Sequence, residues 1–313
     1  MNLTSPGTTP QQEGRAAPLE GSLGRTDLLL CLCIAIWGFN FVAVKIALRE
    51  GFSPLALVGL RFPLFGLAML VVAYAVERDL RIHRRHLWSL VVLAVVGLGL
   101  NQLLWTFGMK LTLAPKASIL MTTTPVFAAL FAPLFREARL SKLGWLGILV
   151  ALGGSALVVT GGSLRQHLSS SATLGDVLIL LASLLVGAVT AGSRPLLRHY
   201  SALKYTTYHV CFGAMFLLPI TATHVLATDF SAVTTRAWLG LLYSIFFAGV
   251  TGFWIWYNGV EKIGAARTAI YQAAMPITTL LGAWLVLRDE MVGWVHLLGA
   301  AITLAGVWMA RRY

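Results

Sequence analysis

Two stretches of the chain, residues 27–160 and 176–310, carry the same hydropathy pattern. Each holds about five apolar runs of the ~20 residues that cross a ~30 Å hydrocarbon core. An odd number of spans per copy turns the second copy upside down relative to the first. That parity constrains the fold more than any motif does: it predicts an all-α membrane protein of ten helices built as two inverted five-helix repeats. Inverted repeats of this kind are the organisation of secondary transporters, whose substrate site lies near the bilayer midplane between the halves.

The duplication is visible residue by residue, at an offset drifting from roughly 149 to 153 positions, as expected of internal repeats separated by small loop insertions. Asp27 pairs with Asp176, Lys45 with Arg194, Trp88 with Trp238 and Gly99 with Gly249. Pro125 pairs with Pro276, Glu137 with Glu290, and Gly147 and Gly154 with Gly299 and Gly306. The spans read as roughly 28–48, 53–76, 87–109, 114–135, 142–161, 174–195, 202–226, 237–259, 265–287 and 291–310. They lack the two-residue alternation of barrel strands, and backbone groups in hydrocarbon must be satisfied within their own segment, so all are expected to be helical. The boundaries near Pro195 and Lys204 are the hardest to place, because two spans nearly touch there. The domain order is then a disordered tail (1–26), a first repeat (27–161), a Gly/Ser-rich linker (162–173) and a second repeat (174–313). The tail has no apolar run with which to order itself, and no cleavable signal follows it, since the first span is too long for a signal-peptide core.

Composition agrees. With 58% hydrophobic and 12% charged residues and a mean hydropathy of +0.78, the chain has too little polar surface for a water-soluble globule. Its net charge of +12 comes from short Lys/Arg clusters between apolar runs and forms no basic, aromatic-interleaved face, which argues against nucleic acid. With the N-terminus in the cytoplasm, sixteen Lys and Arg fall on inside segments or span ends and seven on outside ones, and only Arg61 falls deep within a span. The positive-inside rule therefore predicts cytoplasmic termini. Cys31, Cys33 and Cys211 lie in apolar segments and read as small buried hydrophobes, not as a disulfide or zinc framework. His83 and His86 stand in an Arg-rich loop without carboxylate or thiolate neighbours, a poor metal site. Gly147, Ala151 and Ser155 give one helix a small-residue face for close packing.

Polar groups inside spans carry the functional information, because each is costly in lipid. Trp37 and Asn40 lie three positions apart, on one face of the first helix, either lining a cavity or making an interhelical hydrogen bond. Arg61 sits roughly 12 Å into its span and needs a water-filled cavity, a carboxylate or several carbonyls. Asn101 and Gln102, with Trp105, lie too deep for an interfacial belt and point to a cavity. Trp256 and Tyr257 read either as a belt or as stacking walls. Lys45 either snorkels to the interface or acts in function. Pro125 and Pro276, at matching mid-span depths after Thr122–Thr124 and after Tyr271 and Gln272, mark a hinge or site. Asp27, Asp176, Glu137 and Glu290 read as water-accessible caps at span ends, with proton coupling as the alternative. There is no nucleophile elbow, no His-Glu-x-x-His helix and no Walker lysine, so neither catalysis nor ATP hydrolysis is expected and a gradient must drive any transport.

These residues resemble the drug/metabolite transporter superfamily, specifically its EamA-type ten-helix members. The likeness rests on Trp37-Gly38-Phe39-Asn40-Phe41-Val42-Ala43-Val44-Lys45, on Arg61-Phe62, on Pro125, Glu137 and Gly147, and on Pro276, Glu290, Gly299 and Gly306. The resemblance implies inner-membrane export of small metabolites, often amino acids or drugs. It implies a central cavity lined mainly by the first, third, fourth, sixth, eighth and ninth helices, and alternating access driven by protons or exchange. The second copy departs from the pattern: Val186, Gly187 and Val189 stand where Trp37, Gly38 and Asn40 would be. The expected site is Asn40, Asn101, Gln102, Tyr271 and Gln272 for hydrogen bonds, Trp37, Trp105 and Trp256 as walls, and Arg61 for a substrate carboxylate. The expected partners are a small-molecule substrate, membrane lipid and protons, with no cofactor, metal or nucleic acid and no signal for an oligomeric state. A competing reading is a polytopic membrane protein that acts in assembly or sensing without transport, its polar residues serving helix packing.

Overall fold

A computed structural model of the chain describes residues 24–135, 142–160, 171–264, 268–269, 271–289 and 292–312. The regular elements among them are helices: α1 (Arg25–Arg49), α2 (Pro54–Glu77), α3 (Arg84–Leu111), α4 (Ala114–Met121), α5 (Thr124–Phe131), α6 (Lys142–Thr160), α7 (Ser171–Leu197), α8 (Ala202–Leu226), α9 (Thr235–Ile263), α10 (Tyr271–Leu287) and α11 (Trp294–Arg312). Six of these (α1, α2, α3, α7, α8 and α9) are long and apolar enough to cross a membrane, and α6, α10 and α11 contribute shorter apolar stretches. Local chemistry sets several boundaries. Ser53, Ser201 and Thr234 each accept an amide hydrogen from the residue three further on, at 3.1–3.2 Å, and so open α2, α8 and α9. Arg78, at φ +56°, and Gly264, at φ +86°, end α2 and α9. Helix α7 runs through Pro195 to Leu197, and α8 restarts at Ala202.

The expected span 114–135 is not one helix. It breaks at Thr122–Thr123, and Pro125 occupies the second position of α5. Pro276 likewise follows a 3₁₀ turn, Tyr271–Ala274, as the second residue of Met275–Gly282. Neither proline interrupts a continuous helix, as mid-span placement had implied; each stands where its missing N–H is not needed. Hydroxyls add hydrogen bonds beside the breaks: Thr122 donates to the Ile119 carbonyl at 2.6 Å, Thr123 to Leu120 at 2.7 Å, and Thr278 and Thr279 to Met275 at 3.0 Å.

The packing of equivalent helices reveals the inversion. Gly59, early in α2, faces Thr221 and Val225, late in α8, whereas Gly66 faces Val210 and Cys211. Gly154 of α6 meets Gly299 and Thr303 of α11, and Gly306 meets Gly147 and Ala151. Both pairs of counterparts therefore run antiparallel. The Gly147–Ala151–Ser155 face is the α6–α11 contact, so close that a β-carbon on Gly306 would stand 2.3 Å from the Ala151 nitrogen. The remaining contacts between halves exchange in the same way: α7 packs on α3 and α5, and α1 packs on α9 and α10.

The bundle is greasy outside and carries buried polar groups within a largely apolar interior. Leu67, Val71, Trp88, Leu149, Leu226 and Trp294 are among many large apolar side chains left exposed, the surface expected against lipid tails. Asn40, Arg61, Asn101 and Gln272 are buried. Of the cysteines, Cys33 is buried as expected, but Cys31 lies on the exposed face and Cys211 is half-buried. The N-terminal tail to residue 23, most of the expected linker, Glu137 and Glu290 lie outside the described residues.

Candidate functional site

A cavity of about 100 Å³ lies between the halves, several times the roughly 10–15 Å³ that one water needs. Its wall takes Trp37, Asn40 and Phe41 from α1, Arg61 from α2, Gly97, Asn101, Gln102 and Trp105 from α3, and Met121 from α4. From the second half come Val186, Val189 and Thr190 of α7, Phe253, Trp256 and Tyr257 of α9, and Gln272 and Met275 of α10.

The same device in each half aims wall residues inward. A π-helical stretch, Val95–Leu100, precedes Asn101 in α3, and its repeat counterpart, Ser244–Phe253, precedes Trp254 in α9. Widened turns rotate the residues that follow and leave carbonyls without their usual partners. Two of those carbonyls are taken by α1: the Trp37 indole N–H donates to Ala248 at 2.9 Å, and the Cys33 thiol to Gly252 at 3.2 Å. Gly252 makes this possible, since a β-carbon there would stand 2.4 Å from the Trp37 nitrogen.

Four polar atoms in the wall are buried with no partner among the described residues: Asn40 Oδ1, Arg61 Nε, Gln102 Oε1 and Gln272 Oε1. Each such atom costs about 1–3 kcal/mol when left bare in a dry interior, so the arrangement suits water or a ligand. Among the described residues no carboxylate pairs with Arg61. Its guanidinium instead lies 4.9 Å from the Phe62 ring centre and 5.7 Å from that of Trp105, which offsets part of its desolvation and leaves its charge available. Trp37 and Trp256 stand 5.2 Å apart, as do Phe41 and Trp105, and form an aromatic wall beside these polar atoms. Asn101 differs from its neighbour Gln102, since its Nδ2 donates to the Ala182 carbonyl at 2.8 Å and ties α3 to α7.

The structure brings Trp37, Asn40, Arg61, Asn101, Gln102, Trp105, Trp256 and Gln272 to one cavity, but Tyr271 is not on its wall; its hydroxyl donates to Asp27. Trp256 and Tyr257 are buried and form no interfacial belt. Lys45 does not snorkel: it is buried and donates to the carbonyls of Met109 at 2.8 Å and Thr112 at 2.5 Å. Asp176 is no water-accessible cap but is completely buried. Sequence reasoning missed Thr190, Met121 and Met275 as wall residues. Thr190 could have been found four positions after Val186 on the same face of its helix; the methionines carried no signal apart from core packing.

Charged and polar ties between the halves also stand at the two ends of the bundle. Where α1 finishes, the far end, Arg49 pairs with Asp289 at 3.0 Å and Arg236 with Glu50 at 3.0 Å. The Arg49 hydrogen bonds hold the Asp289 carboxyl below the usual carboxylate range. Where α1 begins, the near end, Ser201 donates to Glu77, and the Tyr200 hydroxyl accepts from the His83 amide.

Comparison with known proteins accounts for this arrangement. The model of the EamA-like transporter family matches residues 24–160 and again 173–312. An uncharacterized transporter of Archaeoglobus fulgidus is 31% identical over 288 residues, covering 91% of this chain and 96% of that protein. The uncharacterized transporter YetK of Bacillus subtilis is 26% identical over 90% of this chain and 84% of its own length. A probable terminal-alkyne amino-acid exporter of Streptantibioticus cattleyicolor is 27% identical over 93% of this chain and 94% of its own. A solved crystal structure aligns over 92% of this chain and 98% of its own with a TM-score of 0.63 at 17% identity, a likeness of fold. Two matched repeats, antiparallel counterpart helices and a cavity between them that carries buried polar atoms agree: the chain belongs to the EamA-like transporter family and is a membrane transporter protein.

Proposed function

We propose that the chain exports small amino-acid-like compounds, or drugs of similar size, by alternating access of the central cavity to the two sides of the membrane. The observation that carries the reading is the pairing of one buried cation with bare oxygens in a single wall. Arg61 suits a substrate carboxylate, the oxygens of Asn40, Gln102 and Gln272 suit an ammonium group, and Trp37, Trp105 and Trp256 suit an apolar or flat body. Asn101 positions α3, and Tyr271 acts indirectly through Asp27. The name of the Streptantibioticus relative, an amino-acid exporter, supports the substrate class.

In this reading the two halves, 27–161 and 174–313 joined by 162–173, rock about the cavity, and the breaks at Pro125 and Pro276 act as hinges. The membrane is the cell inner membrane, both termini are cytoplasmic, the far end faces outward, and protons supply the drive. The test is transport in proteoliposomes against a panel of amino acids, amines and drugs, with and without a pH gradient. Gradient-dependent movement of at least one carboxylate-bearing amine is expected. Movement of none, from protein shown to be folded and reconstituted, would contradict the reading.

A further inference from the structure

The two ends of the bundle carry unlike charge. At the near end, the turn from α2 into α3 holds Arg78, Arg81, Arg84 and Arg85 within eight residues, all four exposed. At the offset that pairs Trp88 with Trp238, the counterpart segment 228–235 holds one carboxylate and no Lys or Arg. The near-end turn has a single carboxylate of its own, Asp79. It accepts from the Arg81 amide at 2.9 Å and lies within electrostatic reach of the Arg81 and Lys204 side chains. Arg84 and Arg85 have no carboxylate partner among the described residues, whereas Arg49 and Arg236 at the far end are paired with Asp289 and Glu50.

The near-end arginines sit on a fixed base. The His83 amide donates to the Tyr200 hydroxyl at 3.0 Å, His86 Nδ1 shares a hydrogen bond with the same hydroxyl at 2.8 Å, and Tyr208 donates to the Leu80 carbonyl. Arg84 then opens α3, and Trp88 follows four positions later on the same face of the helix. Trp88 is 75% exposed, and Leu87 beside it is exposed as well. The counterpart Trp238 is half-buried instead, its ring 5.2 Å from that of Phe52 and 5.8 Å from that of Phe230. Of the two counterparts, only the near-end one sets unpaired guanidinium groups one helical turn from an uncovered indole, at the level where headgroups meet acyl chains. Orienting the chain needs only an excess of positive charge on one side. It needs neither a fixed pair of cations nor an open aromatic ring beside them.

We infer that this surface binds the headgroup of an anionic phospholipid in the near leaflet. Arg84 and Arg85 hold the phosphate, because a planar guanidinium meets two phosphate oxygens at once. Arg78 and Arg81 add positive potential around it, and Trp88 carries the first carbons of an acyl chain. Charge complementarity selects an anionic lipid over a zwitterionic one of the same shape. The inference requires the chain to lie in a membrane and is independent of what the central cavity carries.

The test uses the full chain purified in a neutral detergent and titrated with phosphatidylglycerol or with phosphatidylcholine of the same acyl chains. Binding is read by native mass spectrometry and by thermal stabilisation. Phosphatidylglycerol should bind at least about tenfold more tightly at low salt, and the advantage should shrink at high salt as the charges are screened. Equal binding of the two lipids overturns the inference, and this arm needs no variant. Arg84→Gln with Arg85→Gln should cost at least about fivefold in phosphatidylglycerol affinity. The charge-conserving pair Arg84→Lys with Arg85→Lys should cost about two- to threefold, as the two-oxygen contact is lost. Arg288→Gln, which removes an exposed cation at the far end, should change the affinity by less than about twofold. A preference for phosphatidylglycerol that survives the glutamine pair, or that Arg288→Gln weakens equally, overturns the placement. Complete displacement of the lipid by glycerol 3-phosphate would mark a site for soluble phosphates and would overturn the lipid assignment.

Discussion

Helices α1 and α7 are repeat counterparts that reach the same cavity, yet α1 presents Trp37, Asn40 and Phe41 where α7 presents Val186, Val189 and Thr190. The asymmetry extends to the second helices. At the 149-residue offset that pairs Asp27 with Asp176, Val210 stands in the place of Arg61, and it is buried in the apolar core. Architecture and chemistry have therefore separated within one duplicated frame. Positions that set backbone distance remain paired in both halves, as in the Gly154 and Gly306 contacts. Positions that face the cavity have diverged, so that the cation and two of the three bare oxygens come from the first half. A single asymmetric ligand needs such divergence, because a two-fold symmetric wall would offer the same groups at both ends of the molecule.

If the frame is symmetric, damage to either side of the α6–α11 contact should be equivalent. Gly306→Leu and Gly154→Leu each force a side chain into backbone that stands 2.3–2.5 Å from the new β-carbon. Both should destabilise at or above the ~1–3 kcal/mol typical of overpacking, seen as a similar drop in melting temperature in detergent. A large loss in one and none in the other would break the symmetry.

The chemistry should respond unequally. Gln102→Ala removes a bare oxygen from the wall and should weaken substrate binding by about fivefold, the equivalent of ~1 kcal/mol for one hydrogen bond. Val186→Ala, on the other half, should change affinity by less than about twofold. Ligand-induced thermal shifts for the two variants measure the difference, and equal losses would mean that the halves contribute alike.

Much of the frame was legible before the structure, because duplication, parity and apolar length are properties of the sequence itself. The inward placement of Asn40, Arg61, Asn101 and Gln102 was legible for a related reason: polar groups in lipid-length helices have few places to go. What stayed hidden depends on geometry across the interface. The π-helical stretches of α3 and α9 were signalled only by Gly97 and Gly99 and by Gly249 and Gly252, whose effect depends on which neighbour approaches. Asp176 looked like a solvated end because its partners, Thr112 and Lys116, are some 60 residues away in sequence. Tyr271 looked like a wall residue because the 3₁₀ turn that redirects it before Pro276 has no length signature. Lys45 looked able to reach the interface because its stem is long, yet two carbonyls of a neighbouring helix end satisfy it first.

The central claim, that the cavity between the inverted halves recognises a carboxylate through Arg61, is tested most directly by transport in proteoliposomes, comparing wild type with Arg61→Leu. The account predicts that the variant loses about 10- to 100-fold in apparent affinity for carboxylate-bearing substrates, the range expected for a charge-assisted hydrogen bond. The matching amines without a carboxylate should change by less than about threefold. Equal losses for both classes, or none for either, would contradict it.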